Sequence, residues 1–348
     1  MRRSLSLLAL TSALTVTASP ALACGGLIGP NGAVNLLRTT TFAGYTDGVE
    51  HYVTSFEFAG GGGAFGSIIP LPDVPTSVVR GGDWTLQRLQ RETQPQELAF
   101  AASADSAGSA PKSAEVLLEV TIDALDITVL KGGGDEVGVW AVEHGFRLPP
   151  DAPEVLAFYA DRSPIFLAAS FDADKAAARG QALGDGTPVH ITIPTDNPWV
   201  PLRILGLGKA AAEPVDADVY LLTDRRPTLL PAPRDTMPLV HDAAATDLLL
   251  DDLRSDKGME WVPRQAWLSK LRIAGTAGEL VHDLAIDASG VGQPSRVAAG
   301  LVKVSAAGPG AADDEGVPVW LLGVIAALLL AAGVVVGPLS RRLPTHAP

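Results

Sequence analysis

Cysteine is almost absent from this chain. Cys24 is the only one in 348 residues, which excludes an intramolecular disulfide framework and leaves the core to be held by burial. Basic residues are scarce too. Lys and Arg number 26 against 39 Asp and Glu, a formal charge of −13, and no cluster of them marks a phosphate-binding footprint, so nucleic acid is not an expected partner. Signatures of catalysis and metal binding are likewise missing. There is no G-x-S-x-G elbow, and His51, His144, His190, His241, His282 and His346 stand apart, with no H-x-H, H-E-x-x-H or cysteine-paired spacing. The sequence therefore assigns no catalytic residue, cofactor or metal ligand.

One motif invites a nucleotide and then refuses it. Gly61 to Gly66 fits G-x-G-x-x-G, and a strand is expected before it over residues 51–58. A dinucleotide site also needs a helix N-terminus directly afterwards. Residues 67–75 read SIIPLPDVP, with Pro70, Pro72 and Pro75, and three prolines in nine residues cannot form the first turns of a helix. The glycines read as a turning connection into the extended Ile68-Ile69 segment.

What the chain does have is apolar sequence at both ends. Residues 1–23 combine Arg2-Arg3, an apolar run and Ala21-Leu22-Ala23, the parts of a secretory signal peptide. Cleavage there places Cys24 at the mature N-terminus. Two fates are open to it: lipidation at a lipoprotein junction, which would make Cys24 a lipid anchor, or an ordinary signal-peptidase cut that leaves a thiol. Residues 317–339 carry no charge, and 23 residues at about 1.5 Å each span a hydrocarbon core of roughly 30 Å with some tilt. Asp313, Asp314 and Glu315 precede this run and Arg341-Arg342 follow it, so the positive-inside rule leaves 340–348 in the cytoplasm. Membrane is thus an expected partner, the localisation single-pass with the N-terminal domain extracytoplasmic, and an unidentified protein partner is expected on that side. Arginine outnumbering lysine 19 to 7, with abundant Ala and Gly, points to a bacterial source.

Between the ends, residues 24–304 are expected to form an extracytoplasmic α+β domain, interrupted by a small-residue loop at 101–113 and followed by a stalk at 305–316. Strands are expected at 114–123, 125–130, 165–171, 189–193, 201–205 and 218–223, where β-branched residues alternate. Asp135 is expected to cap a helix that buries Val137, Trp140 and Ala141 and stops at Gly145. A second helix starts at Asp151 and Pro153 and buries Val155, Leu156 and Tyr159. A third is expected over 243–254. Its Asp247 and Asp251 share a face but read as solvated, and the adjacent pairs His241-Asp242 and His282-Asp283 read as structural or surface groups. Asp216-Ala-Asp218 is too short for a calcium loop.

Several stretches together resemble a known family. They are Ala23-Cys24-Gly25-Gly26, the segment Phe65 to Pro75, Asp135 to Phe146 with its tryptophan, Leu148-Pro149, Trp199 to Arg203 and Trp267 to Arg272. In this order they are similar to the uncharacterised bacterial domain of unknown function 2330, over roughly 24–288. Ser67 stands where that family's pattern has tryptophan, and a second cysteine expected near Cys24 is missing. The resemblance implies an envelope location and no reaction. The expected function is a binding or interaction module at the bacterial cell surface; the alternative is an envelope hydrolase whose residues converge only in three dimensions. A pocket holding a histidine beside a carboxylate would favour the enzyme, and a shallow surface with exposed apolar patches near Ile68-Ile69 or Trp199 would favour the module.

Overall fold

The strand Ile165–Phe171 shows how the layers are built. Ile165, Leu167, Ala169 and Phe171 point into one core, while Phe166 and Ala168 point into another, because successive side chains leave opposite faces of a strand. A strand buried on both faces reads as a continuous apolar run. The computed structural model describes residues 38–56, 66–93, 114–179 and 187–302, together with short strand segments at 21–22, 26–29, 32–33, 62–63 and 105–106. Cys24, most of the 101–113 loop, 305–316 and the 317–339 run lie outside the described residues. Among those described, no helix is long and apolar enough to cross a membrane.

Two sheets face each other. The first has eight strands, in the order Leu239–Ala244, Trp267–Thr276, Pro214–Thr223, Arg38–Thr46, Val49–Phe56, Thr187–Pro194 and Ser77–Arg80, with Ala21–Leu22 alongside Arg38. Arg38–Thr46 and Pro214–Thr223 run parallel. Asp47 and Gly48 take positive φ angles of 52° and 77° and turn the chain from Arg38–Thr46 into Val49–Phe56, the backbone that Asp-Gly hairpins require. The second sheet is antiparallel, in the order Glu115–Ile122, Leu125–Lys131, Ile165–Phe171, Gly66–Leu71, Gly26–Gly29 and Gly32–Ala33. Tyr52, Ile191, Val219 and Ile273 from the first sheet meet Ile69, Ile127, Val129 and Leu167 from the second in the central core. Gly66 opens a strand and not a helix, as its prolines require.

Helices cover both outer faces. On the first sheet, α1 (Thr85–Thr93) and α5 (Asp247–Ser255) bury Leu86, Leu89, Leu249, Leu250 and Leu253 over Phe42, Val53, Tyr220 and Leu222. On the second, α2 (Gly134–Glu143) and α3 (Ala152–Ala160) bury Val137, Trp140, Ala141, Val155, Leu156 and Tyr159 over Leu130 and Phe166. A short α4 (Ala173–Ala178) follows the strand Ile165–Phe171. The fold is thus a mixed α+β one in layers of helix, sheet, sheet and helix.

Three local expectations need correcting. Asp135 does not cap α2: Gly133 holds the cap position, and its N–H donates to the Glu136 carboxylate at 2.8 Å. Residues 201–205 are not a strand, because Arg203–Gly206 turns as a 3-10 helix whose entry is fixed by Asp283. Residues 243–244 end the strand Leu239–Ala244, and α5 begins only after Thr246, whose hydroxyl accepts from the Leu249 N–H at 3.2 Å.

Candidate functional site

The two helices over the second sheet leave a groove between them. α2 buries Val137, Trp140 and Ala141, yet Asp135, Gly138, Val139 and Val142 recur at i, i+3, i+4 and i+7, a second stripe on the same helix. Val139 and Val142 are 46% and 58% exposed. With Gly134, Glu143, Leu148, Pro153 and Leu156 this stripe lines a cavity of about 390 Å³. Its closeness depends on Gly134: a Cβ there would stand 2.5 Å from the backbone nitrogen of Ala157. Gly138 gives the floor, since a Cβ there would meet only side-chain ends, Leu148 Cδ1 at 3.3 Å and Leu156 Cδ1 at 3.9 Å. Both ionisable residues of the lining, Asp135 and Glu143, are acidic, and one Glu143 oxygen is shut off from water without a hydrogen-bond partner among the described residues.

A second concavity of about 430 Å³ opens at the far side of α3 and is lined by Glu154, Phe158, Asp161, Arg162, Arg203 and His282, among others. The guanidinium carbons of Arg162 and Arg203 lie 4.3 and 4.2 Å from the Phe158 ring centre. Arg162 is a buried structural group. It ion-pairs with Asp283, which is fully buried, and lies 4.6 Å from the Trp199 ring centre. Asp283 also accepts from the Tyr159 hydroxyl at 2.9 Å and from the backbone N–H groups of Leu202 and Arg203 at 2.7 and 2.9 Å. Burial and the neighbouring Asp283 charge push the Tyr159 hydroxyl well above its ordinary value. Of the pair His282-Asp283, then, the histidine lines a cleft and the carboxylate organises the fold.

The other sequence candidates are held structurally. Asp242 accepts from Trp267 Nε1 at 2.6 Å and Ser269 at 3.0 Å and pairs with Arg226. Asp251 pairs with Arg254, and Asp252 with Arg88 at 2.8 Å. Asp216 and Asp218 pair with Arg272 and Lys270 at 3.0 and 3.1 Å, so no loop of oxygen ligands forms there. Among the described residues no group of three or more His, Cys, Asp and Glu is placed to hold a metal. Ile68, Ile69 and Trp199, where an exposed patch would have favoured the module, are buried to within 3%, whereas Val139 and Val142 of α2 are exposed.

Two histidines that looked isolated meet. His51 and His190 lie on neighbouring strands with Nδ1 and Nε2 3.0 Å apart, and His51 stacks on Trp261 with ring centres 3.9 Å apart and planes within 2°. Gly44 makes room, because any Cβ there would overlap the Trp261 ring. Burial lowers both imidazoles to about 4, with His190 adding to the effect on His51, so near neutral pH both rings are uncharged and the N–H of one faces the bare nitrogen of the other. On the opposite face of the same strand Glu50 is fully buried, and burial raises its carboxyl to about 8, the Trp199 backbone amide pulling the other way. Neither group lines the groove or the cleft. Their partners are separated by more than a hundred residues, so no local spacing signals them.

A family model described as an uncharacterised protein conserved in bacteria, domain of unknown function 2330, matches residues 18–236. No curated protein matches. Two crystal structures of a mutated baculovirus P35 after caspase cleavage are similar at 7% and 8% identity, with a TM-score of 0.39 each. The alignments cover 73% and 72% of this chain and 98% and 99% of those chains; at that score the likeness bears on neither fold nor activity.

Proposed function

The chain belongs to the domain of unknown function 2330 family of uncharacterised bacterial proteins, and we propose that it is a membrane-anchored interaction module whose extracytoplasmic domain takes a partner protein in the α2–α3 groove. The observation that carries this reading is the second apolar stripe of α2. Exposed single hydrophobics are ordinary, but Val139 and Val142 stand in line beside Leu148, Pro153 and Leu156 in one concave surface, the form that protein contact sites take. The anchor rests on the uncharged 317–339 run and its flanking charges.

The hydrolase reading has one supporting observation: His282 shares its cleft with Glu154 and Asp161. That lining contains no serine, threonine, cysteine or tyrosine, so catalysis there would fall to an activated water or to a carboxylate or imidazole nucleophile. Cross-linking a tagged copy on living cells separates the two readings. The module predicts a reproducible partner that is lost in Val142→Asp and kept in Glu154→Gln. A partner kept in Val142→Asp, or lost in Glu154→Gln alone, would move the site to the cleft.

A further inference from the structure

The rim of the groove carries chemistry of one sign. Seven of its lining residues are Gly134, Gly138, Val139, Val142, Leu148, Pro153 and Leu156, and the remaining two are Asp135 and Glu143. No lysine or arginine lines it, although elsewhere on the domain acids are answered by nearby cations, Asp123 by Arg80 and Asp126 by Lys175 among them. Asp135, in the first turn of α2, sits where the helix dipole favours a carboxylate. Glu143 does not. It is the last residue of α2, where the dipole disfavours negative charge, and one of its oxygens is withdrawn from water without a donor among the described residues. A carboxylate kept against the dipole and half desolvated is suited to a cation brought from outside.

We infer that the occupant of the groove is a segment of a partner protein that inserts an apolar side chain between α2 and α3 and brings a lysine or arginine to Glu143. The inference rests on the groove being the interaction site and adds the partner's chemistry to it. Asp135 and Glu143 are eight residues apart, about 12 Å along the helix. A segment lying along α2 therefore meets one acid at each end and valine between them. A second copy of this chain fits poorly, because a charge of −13 sets two acidic surfaces against each other. An anionic lipid surface is repelled by the same rim.

The test uses the full chain in detergent and three fluorescent peptides of twelve residues: leucine with lysine, leucine with glutamine, and leucine with glutamate, identical in length and apolar content. Anisotropy is read at low and high salt. The leucine–lysine peptide is expected to bind about tenfold more tightly than the glutamine form at low salt, less so at high salt, with the glutamate form weakest. Val142→Asp should abolish binding. Asp135→Asn/Glu143→Gln should bring the lysine peptide down to the glutamine level; it changes only two charges of a strongly acidic chain, so diffuse attraction would survive it. Circular dichroism checks that both variants fold. Equal affinity for the lysine and glutamine peptides would overturn the charge inference and leave the groove standing. Binding that survives Val142→Asp, or no binding by any peptide, would overturn both. Capture of the chain by vesicles of anionic lipid, lost in Val142→Asp, would replace the peptide with a membrane.

Discussion

Glu50 and His51 are neighbours on one strand, face opposite sides of a sheet, and are both buried, so their protons act on stability in opposite senses. Glu50 rises from 4.5 to about 8 on folding. Its contribution is complete below 4.5 and is lost as pH climbs through 8, at about 1.4 kcal/mol per pH unit in between. His51 and His190 fall from 6.5 to about 4, so their contribution is complete above 6.5 and is lost as pH drops towards 4. Between 4.5 and 6.5 two histidine protons outweigh one glutamate proton, and above 6.5 Glu50 acts alone. The thermal midpoint should therefore peak near pH 6.5, and Glu50→Gln should flatten the alkaline side. A midpoint that rises steadily from pH 6.5 to 8 in the wild type would contradict this. At Asp283, replacement by Ala strands the buried Arg162 and the donors of Tyr159, Leu202 and Arg203, and is expected to cost about 3–5 kcal/mol. Urea unfolding measures it, and a loss under 1 kcal/mol would show that the network is dispensable.

At the scale of elements, the contact of α2 with α3 turns on two glycines of unlike strictness. Gly134→Ala sets a Cβ against backbone, 2.5 Å from the nitrogen of Ala157 and 2.8 Å from the carbonyl carbon of Leu156, and should cost about 1–3 kcal/mol. Gly138→Ala meets only the ends of the Leu148 and Leu156 side chains, at 3.3 and 3.9 Å, and should be nearly neutral; comparing the two thermal midpoints decides the point. The buried face of α2, its stop at Gly145 (φ 82°) and the buried residues of α3 were legible because helical spacing and glycine chemistry are local. The groove was not. Val139 and Val142 look like ordinary surface residues until α3 and Leu148 arrive beside them, although a helix with apolar residues at both 137/140/141 and 138/139/142 already carries more than one face can bury. Residues 201–205 read as strand from composition alone, yet Asp283, some eighty positions away, fixes Leu202 and Arg203 and the turn that follows. The His51–His190 contact spans 139 positions, which no window sees.

For the whole molecule, the proposed location rests on the sequence of the two ends. The proposed signal peptide and membrane span together predict that protease added to cells stripped of their wall removes the domain of residues 24–304 while the C-terminal tail stays protected; complete protection would reverse the orientation. On that domain the groove between α2 and α3 sets Val139 and Val142 side by side in one concave, largely apolar surface. The most direct measurement is photo-cross-linking of the full-length protein in its own membrane, with the reactive residue placed at 142 and, as a control, at the ion-paired position 251 on α5. The interaction module predicts one discrete protein adduct from position 142 and none from 251. Equal labelling at both positions, or none at 142 in cells where the protein is present and folded, would contradict it.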